Sequence, residues 1–195
     1  MPQPTFNPLT WLQGQNNMGG YQNWVGIIPL DFISSMPELP SSQASEGDFV
    51  TASGAFVFKE ESQGVPYKPI FMYNTEETVK YSSESVGERD GKSFENKMEF
   101  FHPGNKKDAH AFATRIKNRP CIIVFADSDG NQQIMGSKFL PAYISPSFDG
   151  GQKRADQRGF KFEAAAASNQ SAVFLETPFV VDPLAGTIAY AQAGQ

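Results

Sequence analysis

Only one stretch of this chain carries apolar residues at helical spacing, and that sets the class of fold. In NKKDAHAFATRIKN, after His102–Pro103–Gly104, the residues Ala109, Phe112, Ala113 and Ile116 fall at i, i+3, i+4 and i+7 and form one stripe. The spacing predicts a helix over about residues 105–118, capped by Asn105 or Asp108. Arg115 and Lys117 suit its C-terminal end, and Pro120 stops it. Elsewhere the apolar residues come in short runs separated by glycine, proline and Asp–Gly turns. With 17 Phe, 17 Gly and 14 Pro among 195 residues, the chain reads as mainly β. The expected architecture is an antiparallel β-sandwich or barrel with the one helix on its flank.

Val25 to Ile33 reads as the first strand, with Pro29 placing it at an edge or a bulge. MPELPSSQASEGD is a connecting loop. In FVTASGAFVFKEE, the residues Val50, Ala52, Gly54, Phe56 and Phe58 alternate with the others, which predicts one strand. KPIFMYNTEETVKY and SFENKMEFF flank a polar stretch containing Asp90–Gly91, a strong turn signal. They predict a long hairpin, Thr78 to Phe94 and beyond, whose tip protrudes and whose return limb aligns Phe94, Asn96, Met98 and Phe100. CIIVFAD is continuously apolar, as a central strand covered on both faces would be. Asp129–Gly130 turns it into QQIMGSKF. AYISPSF and GFKFEAAAAS form a further hairpin around DGGQKRADQR, and SAVFLETPFVV completes the set. There is no internal repeat and no second domain.

Charge is distributed unevenly. All 37 charged residues lie between Asp31 and Asp182. Residues 1–24 carry none, yet include Phe6, Leu9, Trp11, Leu12, Met18, Tyr21 and Trp24. A solvated tail has the opposite composition, so this segment reads as an extended arm docking on its own body or on a neighbouring copy. Residues 25–182 then form a single β-rich domain, and 183–195, PLAGTIAYAQAGQ, a second uncharged arm. Ile188 and Tyr190 alternate with small residues there, which suits a short strand laid on a sheet edge in the same or another subunit. The candidate assembly residues are Phe6, Trp11, Tyr21 and Trp24 in the first arm, Glu88, Arg89 and Asp90 at the hairpin tip, and Ile188 and Tyr190 in the last arm.

The search for chemistry returns little. No apolar run approaches the ~20 residues that span a bilayer, so no membrane partner is expected, and MPQPTFNPLTWLQG lacks the basic and apolar regions of a secretory signal. One Cys excludes an internal disulfide framework, and two His exclude a His-rich metal cluster. A net charge of −5 leaves no basic footprint for nucleic acid. Asp127, Asp129 and Asn131 are spaced like the start of a calcium loop, but the glycine stands at the fourth position and no Glu follows at the twelfth. DSDGN reads instead as a hairpin turn. His102 and His110 sit apart, and Cys121 opens an apolar strand as a core thiol. Lys153, Arg154 and Arg158 read as partners of Asp149 and Asp156 in local ion pairs rather than as phosphate contacts. Glu60–Glu61 and Glu76–Glu77 read as solvated surface. No catalytic residue, metal or cofactor is expected.

CIIVFADSDGNQQIMGSKFLPAYISPSFDGGQKRADQRGFKFEAAAASNQSAVFLE is similar to virion proteins of tailed phages, in their tail-tube and tail-completion class. The resemblance covers roughly Arg119 to Pro178 and rests on a buried strand, a D-x-D-G-N turn, a strand ending in M-G-S and the R-G-F-K-F limb. It implies a non-enzymatic subunit of a virion assembled in the host cytoplasm. Sheets of such subunits join around a ring, and rings stack into a tube through hairpins and arms. The implied partners are copies of the chain itself, other virion proteins, and DNA passing a lumen that binds it at most non-specifically. Two other readings stand beside it. One is a capsid shell or decoration subunit. The other is a ligand-binding or hydrolytic β-domain whose pocket is lined by Phe56, Phe58, Phe100, Phe101 and Phe125.

Overall fold

The computed structural model describes residues 8, 9, 13, 18–39, 48–61 and 64–190. In chain order, β1 (Tyr21–Pro29) leads through a short 3-10 turn (Leu30–Phe32) to β2 (Ile33–Ser35). β3 (Thr51–Ala52), β4 (Val57–Phe58), β5 (Ile70–Tyr73), β6 (Lys80–Val86) and β7 (Ser93–Pro103) precede the helix α1 (Lys107–Ile116). After it come β8 (Cys121–Asp127), β9 (Gln132–Met135), β10 (Tyr143–Asp149) and β11 (Gly159–Ser168). β12 (Val173–Leu175), β13 (Phe179–Asp182) and β14 (Thr187–Tyr190) close the fold. The molecule is mainly β, sandwich-like, and its sheets do not close into a barrel.

Two sheets carry the body. A six-stranded sheet has the order β3-β12-β9-β8-β1-β5, and a four-stranded sheet the order β10-β11-β7-β6. Two ribbons, β13–β14 and β2–β4, complete the set. β8 lies inside the larger sheet, with Cys121 through Ala126 buried, as its apolar run requires. Alternation along it divides the molecule. Cys121, Ile123 and Phe125 face a core shared with Phe100, Phe160 and Phe162 of the four-stranded sheet, while Ile122, Val124 and Ala126 face a second core with Trp24, Phe56, Phe179 and Ile188. Each face of one strand therefore buries against different partners.

The hairpins match the sequence pattern. β6 and β7 pair from Lys80↔Glu99 to Val86↔Ser93, and β10 and β11 from Tyr143↔Ala165 to Asp149↔Gly159. Asn96, Met98 and Phe100 point inward, whereas Phe94 is half-buried beyond the end of the core. At the DSDGN turn the Asp127 carboxylate accepts the Asn131 N–H at 2.8 Å and its Nδ2 at 3.0 Å, so local hydrogen bonds use it. α1 buries Ala113 and Ile116, with Ala109 and Phe112 packed against the same core. Neither Asn105 nor Asp108 caps it. The N-cap is Lys106 without a side-chain bond, and the Asn105 Oδ1 instead accepts from His110 Nε2 at 2.7 Å.

Several boundaries differ from the sequence expectation. β1 begins at Tyr21, not Val25, because Tyr21 pairs with Asp127 and Trp24 with Tyr73. Pro29 lies in an interior strand, at its end. β5 stops at the pair Ile27↔Ile70, so no neighbour on that side needs the missing N–H. FVTASGAFVFKEE is not one strand: Gly54, at φ +89°, turns the chain, sending β3 to pair with β12 and β4 with β2. SAVFLETPFVV likewise divides into β12 and β13, on different sheets, around Glu176–Pro178. Of the last segment, the described strand β14 lies on no edge of the larger sheets. β14 pairs with β13 of its own chain, and the resulting ribbon lies over the second core.

Candidate assembly surface

Phe6 and Trp11 lie outside the described residues. Of the other residues picked out by composition, most belong to the body. Trp24 is 1% exposed and donates its Nε1–H to Gln22 Oε1 at 2.7 Å, so its ring is core and unavailable to a neighbour. Tyr21 is half-buried, edge-on to Phe125 at 5.5 Å and to Tyr81 at 6.4 Å. Burial first, and the Asp127 carboxylate second, push its phenol above the usual pKa. Ile188 is 2% exposed, and its Cδ1 lies 2.8 Å from where a Cβ on Gly26 would stand. A glycine in β1 is what lets the ribbon approach this closely. The backbone of Tyr190 pairs with Phe179. The uncharged ends thus supply their own core with Trp24 and Ile188, which dock on the chain's own body and are unavailable as the assembly contacts that composition picked out.

Glu88, Arg89 and Asp90 are exposed at the β6–β7 tip, as expected. Gly91 N–H donates to Glu88 O at 3.1 Å, and Asp90 adopts φ 70°. Gly87, at φ +108°, is required here because an added Cβ would meet Gly91 O at 2.7 Å.

The five phenylalanines suggested as a pocket do not converge. Phe100 and Phe125 belong to the first core, whereas Phe56 and Phe58 pack in the second, across the six-stranded sheet. Burial pushes the Cys121 thiol up to about 12, Arg119 opposing slightly, so it stays protonated in the core. His102 donates from Nδ1 to Tyr73 O at 2.8 Å. Among the described residues no three His, Cys, Asp or Glu side chains come together as a metal site, and no helix is long and apolar enough to cross a membrane. In the 150–158 loop the expected ion pairs give way to backbone capping. Asp149 accepts from Gly151 N–H, and Asp156 from Gln152 and Lys153 N–H, which holds the Asp156 carboxyl below its usual pKa.

The surface that composition did not single out lies at one end of the four-stranded sheet. Ser137 N–H donates to Leu140 O at 2.8 Å, and Leu140 N–H to Ser137 Oγ at 3.0 Å. That tight turn pushes Phe139 and Leu140 into solvent, with exposures of 89% and 44%. Gly136, at φ +93°, and the Cys121↔Ala142 bridge fix the turn where the chain crosses between sheets. Phe139, Leu140 and Tyr143 border an open groove of about 580 Å³ with Val86, Phe94 and Ala167. Glu95 is its charged member. The one sequence signal was an apolar pair inside a short loop, FL before Pro141, where polar residues are usual.

No protein family matches this chain, and no curated protein or solved structure does. Its surfaces are therefore read from their own chemistry. Next to the groove, β10 is an edge strand with Tyr143 54% and Phe148 40% exposed. Pro146 sits in it opposite Phe162. A proline cannot enter a pair that exchanges hydrogen bonds, so its nitrogen points to the open side. The other edge, β6, is KYSSESV, without proline. Across the outward face, Glu84, Glu95, Glu99 and Glu163 share the surface with Lys80, Lys97 and Lys161. Lys161 bridges Glu99 at 3.0 Å and Glu163 at 2.7 Å.

Proposed function

We propose that the chain is a non-enzymatic structural subunit that assembles with copies of itself, and in its most specific form a tail-tube subunit of a tailed-phage virion. The observation that carries this reading is the four-stranded sheet. Its edges β6 and β10 are both unpaired among the described residues, and exposed aromatics flank β10. Proteins that stay single normally blunt or cover such edges, and here only β10 carries a proline while β6 has none. Two unlike edges on one sheet suit head-to-tail addition, which closes into rings or continues as filaments. The six-stranded sheet differs, ending in the two-residue β3 and four-residue β5. The mixed-charge outward face, on which carboxylates outnumber ammoniums, suits a lumen that DNA passes without sticking. The hairpin tip at Glu88–Asp90 supplies a projection for contact between rings or with other virion proteins.

Light scattering on the purified full chain across a concentration series, followed by negative-stain electron microscopy, tests the reading. Rings or tubes with an open lumen are expected. A curved lattice would transfer the chain to the capsid class, and a monomer at every concentration would overturn self-assembly.

A further inference from the structure

We propose that the groove bordered by Phe139, Leu140 and Tyr143 receives the uncharged N-terminal segment, residues 1–17, of a second copy of this chain. The inference rests on the self-assembly reading above and names its contact. The groove of about 580 Å³ is within the roughly 300–1,000 Å³ of pockets that enclose a compact apolar body. Its walls are aromatic, aliphatic and alanine surface, with Ser93 and Glu95 at its polar side. An occupant bringing charge would have to desolvate it against mostly apolar walls, where the one carboxylate, Glu95, is already bridged to Lys97 at 3.0 Å. Residues 1–17 are a segment of this chain that brings none, and Phe6, Leu9, Trp11 and Leu12 supply apolar side chains within a short span.

Two observations place the docking between copies. In the single chain Leu9 is fully exposed, at 103%, while the groove stands open. The chain therefore does not seat that residue on its own body. The body also anchors the start of β1 at a fixed point: Ser128 N–H donates to Gly20 O at 3.2 Å and its hydroxyl to Gly19 O at 3.1 Å. Beyond Gly20 the chain is committed to β1, so any contact this end makes with a neighbour falls to the residues before Gly19. Burying a Trp and two Leu against such walls accounts for a contact that is weak singly and strong when repeated around an assembly.

The test uses the full chain and three changes. A chain starting at Met18 keeps β1 whole. Ala167→Glu puts a carboxylate into the groove at an exposed position, with circular dichroism checking that the fold is kept. Leu9→Cys and Ala167→Cys are made in separate chains and mixed under mild oxidation, the native Cys121 being buried. The truncation and Ala167→Glu should each raise the concentration of half-assembly at least about tenfold. The mixture should give a disulfide-linked pair containing one copy of each chain. If the full chain assembles but both variants assemble equally well and no mixed pair forms, the groove assignment falls while the assembly reading stands. A full chain that never assembles removes both. A further chain carries both Leu9→Cys and Ala167→Cys: if it closes the disulfide within one monomer while the mixture gives no linked pair, the segment sits on its own body and the proposal is overturned.

Discussion

The two faces of the six-stranded sheet are built by different means. One is covered by the four-stranded sheet, in which β7 and β11 stay in register over ten consecutive pairs, from Gly159↔Pro103 to Ser168↔Phe94. The other is covered by pieces: the four-pair β13–β14 ribbon, the β2–β4 ribbon and isolated residues such as Phe56. Side chains rather than sheet hydrogen bonds fasten those pieces. Gln132 clamps β13 through its Nε2–H to Phe179 O and its Oε1 from Phe179 N–H, both 2.8 Å, and Ile188 drops onto Gly26. Both faces are equally dry where β8 meets them, yet only the first is locked by long-range register. Burial and cooperativity are separate properties, and the second face should open before the first.

The largest test of that difference is Phe125→Ala, which empties the centre of the first core. It should cost about 3–5 kcal/mol in urea unfolding and destabilise the molecule as one unit. Ile188→Ala, at the second face, should cost about 2–3 kcal/mol. Its signature in hydrogen exchange should be local, with β13–β14 amides exchanging faster while β7 and β11 keep their protection. Equal loss of protection on both faces would break the comparison.

A smaller effect comes from pH. Cys121 and Tyr81 both face the first core, and burial raises both groups above their usual pKa, with Tyr21 adding to the shift at Tyr81. A thiol with a folded pKa of about 12 against an ordinary 9.0 keeps its proton longer when folded. Its contribution is therefore complete below the unfolded value and is lost as pH rises through the folded one. Stability should fall by about 1 kcal/mol by about pH 9.5, and Cys121→Ala should flatten the first part of the decline. Lys161→Ala serves as the control. It breaks exposed ion pairs on the outward face and should leave the urea midpoint within error of the parent.

Local signals made much of the first face legible. The helical stripe ending at Ile116, the β8 run and the turns at Asp90–Gly91 and Asp129–Gly130 each declare themselves within a few residues. The second face hides its breaks. Ala52, Phe56 and Phe58 keep an even spacing and share one core, although Gly54 ends one strand and begins the approach to another. Periodicity reports which side is buried and says nothing of which strand is the neighbour. The assembly surface was obscured for a related reason. Absence of charge marks burial but does not distinguish burial within a chain from burial between chains, so Trp24 and Ile188 resembled contacts and proved to be core. Phe139 and Leu140 carry no comparable signal, because two residues in a loop have no period.

Pro146 bears on how copies could add to one another. It removes one outward donor midway along β10, whereas β6 keeps its full row. Two β10 strands laid against each other would both meet a missing rung, so mirror-like pairing is penalised relative to joining unlike strands. An object grown that way has a front and a back, and its length is governed by whatever terminates each of them.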